Sequence, residues 1–82
     1  SRWVQMKAEF EQHIFPQFPK LREADWEQNL FEARLLSSIQ FVSLVACIEE
    51  AWGLEIDDDE ITESNFATLA RIAAFIEARR PA

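Results

Sequence analysis

The stretch Leu35–Trp52, LLSSIQFVSLVACIEEAW, decides the fold. Ser37 is followed three residues later by Gln40, just before an apolar run, which is the form of a capping box: the hydroxyl accepts a hydrogen bond from a free backbone N–H, and the amide side chain accepts one in return. Ser37 is therefore the expected N-cap. Ser38 then falls on the first helical turn, where unpaired N–H groups and the positive end of the macrodipole favour an attached anion. At about 100° per residue, Phe41, Leu44, Val45, Ile48 and Trp52 gather on one face, the stripe a helix buries, and Ile39, Ser43, Ala46 and Glu50 lie opposite. Gly53, the only glycine in the chain, follows Trp52 where a left-handed residue ends a helix, with Leu54 placed to fold back on the last turn.

Upstream, Trp3, Met6, Phe10 and Ile14 recur at steps of three and four, which predicts an amphipathic helix from about Arg2 to Ile14. Pro16 bars its continuation, and Pro16 and Pro19 push their preceding residues toward extended geometry. A long irregular connection to about Leu36 follows, anchored on the core by Leu21, Trp26, Leu30 and Phe31, with a short helical turn expected near Trp26 to Phe31. Downstream, Asp57 caps a short helix at Asp58 to Ile61, and Asn65-Phe66-Ala67 leads to Thr68 as the N-cap of a last helix. Leu69, Ile72, Ala73 and Ile76 line one face of that helix, Arg79 and Arg80 sit at its cation-favouring end, and Pro81 closes it. No stretch alternates as a strand would. The expected architecture is all-α, three main helices plus one short helix, with a long loop between the first and second.

These residues resemble the acyl carrier protein family, including its peptidyl and D-alanyl members. The resemblance is carried by Phe31-Glu32-Ala33-Arg34-Leu35-Leu36-Ser37-Ser38-Ile39, Leu44-Val45, Ile48-Glu49-Glu50, Gly53-Leu54-Glu55-Ile56 and Asn65-Phe66-Ala67-Thr68-Leu69, and it covers roughly residues 29 to 80. Members typically open the second helix with glycine, then aspartate and serine, and that serine receives 4′-phosphopantetheine. The resemblance implies an acyl-carrier-like bundle with Ser38 as the attachment point. Two departures stand out: Arg34 occupies the usual glycine position, and Ser37 the usual aspartate position.

Eighty-two residues make one domain, expected to span residues 1–82, in which only roughly 60–65% of the unfolded surface is buried. Three Trp and seven Phe supply a core, so the chain is not a disordered acidic tail. The net charge of −7 is uneven: eight carboxylates and no Lys or Arg lie between Glu49 and Glu63. That distribution argues against nucleic acid, whose affinity comes mostly from cationic neutralisation, and favours a basic protein partner. Cys47, the sole cysteine, permits no internal disulfide, and no apolar run approaches the ~20 residues of a membrane span, so a cytoplasmic monomer away from membranes is expected. The chain starts at Ser1 without a methionine, as a trimmed chain or an excised domain would.

Other chemistries find little support. A calcium loop starting at Asp57 would need glycine at Thr62 and glutamate at Thr68. His13 at the edge of the first stripe and Cys47 on the flank of the second make no metal-site spacing, and nothing places an oxyanion hole for a triad of Ser38, His13 and a carboxylate. Trp3, Trp26 and Trp52 are assigned to the core. The expectation is a carrier with no catalysis of its own. On this reading Ser38 is modified by a phosphopantetheinyl transferase, and an acyl- or aminoacyl-loading enzyme charges the arm for downstream acyl-transfer enzymes. Ile39, Val42 and Ala46 would form the docking strip, and Glu49, Glu50 and Glu55 would steer partners electrostatically. Gln40 and Ser43 early in the second helix resemble discrete polyketide, peptide or D-alanyl carriers more than fatty-acid carriers. The alternative is an unmodified carrier-fold interaction module, motivated by Ser37.

Overall fold

The structure, a computed structural model, describes residues 2–80. Four helices carry it: α1 (Arg2–His13), α2 (Ser38–Trp52), α3 (Glu63–Phe66) and α4 (Leu69–Arg79), with 3-10 turns at Pro19–Glu23 and Asp58–Glu60 and no strand among the described residues. Helices α1, α2 and α4 follow the expected registers because each has a readable apolar stripe and written ends. Pro81, expected to close α4, lies outside the described residues. The core is built from those stripes: Met6 and Phe10 of α1, Leu44 and Ile48 of α2, and Leu69, Ile72 and Ile76 of α4 are essentially sealed from solvent. Phe66 of α3 completes it, joined to Phe41 and Phe75 by ring contacts at 5.6 and 5.0 Å.

The connection between α1 and α2 is ordered by hydrogen bonds that no local pattern announces. The Leu30 N–H donates to the Ala67 carbonyl at 2.8 Å, and the Trp26 carbonyl accepts from Ala70 N–H at 2.9 Å. Ala70 lies in the first turn of α4, whose N–H groups have no partner within the helix, so the connection serves as a cap in trans. Leu21 and Leu30 are fully buried, and Trp26 and Phe31 pack at the edge of the core.

Three expectations change. The helical piece of the connection is at Pro19–Glu23, where Pro19 presets the first position; residues 26–31 form hydrogen-bonded turns instead. Helix α3, a single turn capped by the Thr62 hydroxyl on Asn65 N–H at 3.3 Å, had no periodicity to reveal it. Trp3 is not core: it stands 46% exposed, edge-on to Trp26 at 5.3 Å, with Lys7 over both rings. Trp26 and Trp52 are partly buried and meet Phe10 at 5.0 and 6.0 Å.

Candidate functional site at the start of α2

Ser37 has extended backbone (φ −85, ψ 169) and its Oγ accepts from Gln40 N–H at 3.2 Å, while Gln40 Oε1 accepts from Ser37 N–H at 3.0 Å. Both halves of the capping box are closed, so the Ser37 hydroxyl is committed to the backbone. Ser38 is the first residue of α2; it is exposed, and its hydroxyl makes no hydrogen bond to any described residue. No acidic residue lies in this first turn. The two neighbouring serines thus differ in the one property that matters for a reaction at oxygen, the availability of the hydroxyl.

The approach to the cap is a turn with a recognisable bond pattern. Leu35 N–H donates to the Leu30 carbonyl at 2.9 Å and Arg34 N–H to the Phe31 carbonyl at 3.0 Å, the paired bonds of a Schellman motif with Arg34 at its left-handed position. Arg34 has φ 60, the only positive φ at a non-glycine among the described residues. This explains why the position suits glycine and shows the arginine in the left-handed conformation that glycine adopts freely. Asn29 braces the turn: its Oδ1 accepts from Phe31 and Glu32 N–H at 3.0 and 2.9 Å, and its Nδ2 reaches Glu63 at 3.3 Å. Leu36, buried just before the cap, pins the entry of α2 to the core.

Beside Ser38 lies an open cavity of about 500 Å³, lined by Lys20, Phe31, Arg34, Leu36 and Gln40 in addition to the two serines. An exposed hydroxyl on a helix N-terminus, next to a hollow walled by two cations and no carboxylate, fits a covalently attached phosphodiester and the chain beyond it. The rest of the outward face of α2 is apolar: Ile39 is 82% and Val42 70% exposed, with Ala46 and Glu50 exposed beyond them. Glu49 is different, being half-buried with its Oε2 accepting from Ile56 N–H at 2.9 Å, so its carboxylate holds the segment after the helix. The remaining polar candidates lie elsewhere. His13 packs its ring 5.5 Å from Trp52, roughly 20 Å along the helix from Ser38 by the rise per residue. Cys47 is buried, donates to the His13 carbonyl at 3.3 Å, and has its thiol pKa raised by burial and by Glu50, which keeps it protonated.

Residues 4–76 match the family model described as phosphopantetheine attachment site. The match reaches back through the connection and α1, further than the residues 29 to 80 that carried the resemblance in the sequence. No curated protein matches the chain, and no solved structure does.

Proposed function

The chain belongs to the phosphopantetheine attachment-site family, and from that premise we propose that Ser38 bears the arm and that the domain carries an acyl or aminoacyl cargo between biosynthetic enzymes. Members of the family hold 4′-phosphopantetheine covalently, and the role is that of a carrier. Its terminal thiol is what supplies the chemistry, a thioester link to the cargo. The observation that carries the assignment to Ser38 is the contrast between the serines: the Ser37 hydroxyl is bound to Gln40 N–H, and the Ser38 hydroxyl is exposed and unengaged beside the cavity.

What the chain contributes is presentation. α2 is fixed at its start by the capping box, along its length by Leu44, Val45 and Ile48, and at its end by Gly53, so the Ser38 oxygen is held on a rigid element. A transferase directs that oxygen at the phosphorus of coenzyme A that bears the pantetheine. The Oγ–phosphorus bond forms, the pyrophosphate bond breaks, and the adenosine bisphosphate leaves while the serine proton goes to a base of the transferase. The exposed strip of Ile39, Val42 and Ala46, with Glu50 beside it, is the surface that transferase, loading enzyme and acyl-transfer enzymes would share.

The test is intact mass after incubation with a broad-specificity phosphopantetheinyl transferase and coenzyme A. The parent and Ser37→Ala should each gain one phosphopantetheinyl group and Ser38→Ala none, with the helical circular dichroism of Ser38→Ala unchanged. Ser37→Asp keeps the cap and adds a favourable charge at the helix start, so it should be modified at least as fast as the parent. Modification of Ser38→Ala, or none of the parent and of Ser37→Asp, overturns the assignment; the second outcome favours an unmodified interaction module.

A further inference from the structure

We propose that Lys20 and Arg34 form a phosphate clamp, holding the phosphodiester that joins the arm to Ser38 at the mouth of the neighbouring cavity; the proposal rests on the Ser38 assignment above. The chain has a net charge of −7, yet the cavity beside Ser38 is walled by these two cations and by no Asp or Glu. Of the other guanidinium groups, three are ion-paired, Arg22 with Glu11, Arg79 with Glu60, and Arg80 with Glu9 and Glu77, and Arg71 donates to the Ser64 carbonyl; only Arg2, on α1 and away from this hollow, is likewise unpaired among the described residues. The side chains of Lys20 and Arg34 make no hydrogen bond or ion pair with any described residue. They come from separate segments, Lys20 from the 3-10 turn begun by Pro19 and Arg34 from the turn that enters α2, and the fold brings them to one hollow.

The backbone gives a second, independent observation. Arg34 stands at φ 60, where any side chain is disfavoured and glycine is not. A long cation at a strained position, lining the hollow that adjoins Ser38, is an outlier that points to a ligand. The chemistry matches: a phosphodiester carries one negative charge and two non-bridging oxygens, which the planar fork of arginine takes as a pair and a lysine ammonium neutralises as a point charge. Held there, the arm would leave Ser38 in a restricted direction, which a loading enzyme could read.

Phosphorus-31 NMR of the holo protein tests this after mass spectrometry has established one arm per chain. The folded parent should show a phosphodiester line displaced from that of the same holo protein unfolded in urea, and the Arg34 Nε–H and Lys20 side-chain resonances should shift between apo and holo forms. Lys20→Gln with Arg34→Gly should remove at least half of the phosphorus displacement, whereas Arg2→Gln with Lys7→Gln, the same charge change on α1, should leave it intact. Identical phosphorus lines in folded and unfolded parent, or equal loss in both double variants, overturn the clamp while the Ser38 assignment stands. A parent that gains no mass overturns both. The apo-to-holo shifts of Arg34 and Lys20 need no variant, so they decide the matter even if the double variant fails to fold.

Discussion

At the exit of α2 the left-handed position is filled by Gly53 at φ 66, and in the turn that enters α2 the left-handed position is filled by Arg34 at φ 60. Both close a chain reversal with the same kind of bond: Leu54 N–H reaches back to the Glu49 carbonyl at 3.0 Å, and Leu35 N–H to the Leu30 carbonyl at 2.9 Å. The exit end has glycine, a buried Leu54 after it, and Glu49 holding Ile56 N–H. The entry end has an arginine, an uncommitted hydroxyl, two unpaired cations and the most exposed apolar residues of the helix, Ile39 and Val42. The difference teaches that the exit is built for the fold alone, and that the entry carries features the fold does not need.

If that division is right, truncation at the two ends should differ most in the core. Ile48→Ala, sealed near the exit, should lose ~2–5 kcal/mol, a large part of a small domain's stability. Ile39→Ala, 82% exposed near the entry, should stay within about 0.5 kcal/mol. Urea midpoints decide it, and similar losses for the two would show that Ile39 is packed in solution.

The most buried ion pair among the described residues packs near the exit end, against Trp52. Glu9 of α1 and Arg80 are joined at 2.6 Å with both side chains largely covered, and Arg80 also reaches Glu77 at 3.1 Å. The Arg80 hydrogen bond holds the Glu9 carboxyl below its ordinary value of 4.5, and the indole N–H of Trp52, buried without closing a hydrogen bond of its own, adds a weaker pull. A depressed carboxyl stabilises the fold fully above its unfolded pKa and ceases to do so as pH falls through the folded value. Arg80→Ala should therefore cost ~1.5–3 kcal/mol near pH 7, the range for hydrogen bonds to charged groups, and the gap to the parent should narrow as the pH drops below about 4.5. A gap that is constant in acid would mean that Arg80 acts through packing and not through Glu9.

Next in size is the cap at the entry. Ser37→Ala removes the acceptor for Gln40 N–H and should lose ~0.5–2 kcal/mol, with Ser37→Asp recovering it. Thermal melts of the three proteins suffice. Equal midpoints would mean that the entry of α2 is held by Leu36 and the Asn29-braced turn without help from the cap.

The parts of this division that could be read in the sequence are those whose cause is local. Ser37 and Gln40 fix the start of α2 three residues apart, Gly53 fixes its end, and Thr68 caps α4 with its hydroxyl on Arg71 N–H at 3.0 Å, so each signal lies within one turn of what it controls. The missed features depend on distant partners. Trp26 and Leu30 are legible as core anchors from their residue types, but the hydrogen bonds that tie them to Ala70 and Ala67, some forty residues away, have no local signal, and α3 is one turn long, too short for any period. Trp3 carries the right residue type for the core, and only the packing of Phe10 against Trp26 shows that its place is already taken. Arg34 is the instructive case: a turn that takes glycine is recognised by its glycine, so an arginine there hides the turn.

That hidden turn supplies the smallest and sharpest test, a pair of substitutions at the two left-handed positions. A Cβ added at Gly53 would meet no atom within 4 Å, so Gly53→Ala probes backbone strain without a clash, and it should lose about 1 kcal/mol. Arg34→Gly is the reverse experiment. It relieves the strain at φ 60 but frees the unfolded chain, whose extra entropy takes back roughly 0.4–1 kcal/mol, so the net change should lie between zero and about 1 kcal/mol of added stability. The signs are therefore opposite although both substitutions act on the same backbone conformation. Arg34→Ala, which keeps the Cβ and removes the exposed stem and guanidinium, should leave stability unchanged, since the side chain makes no hydrogen bond or ion pair with any described residue. Loss of more than about 1 kcal/mol in Arg34→Gly would break the comparison, because the arginine would then be holding the fold together. A gain in Arg34→Gly with no change in Arg34→Ala would leave the guanidinium with no structural task, and its retention at a strained position beside Ser38 would have to be explained by what binds there.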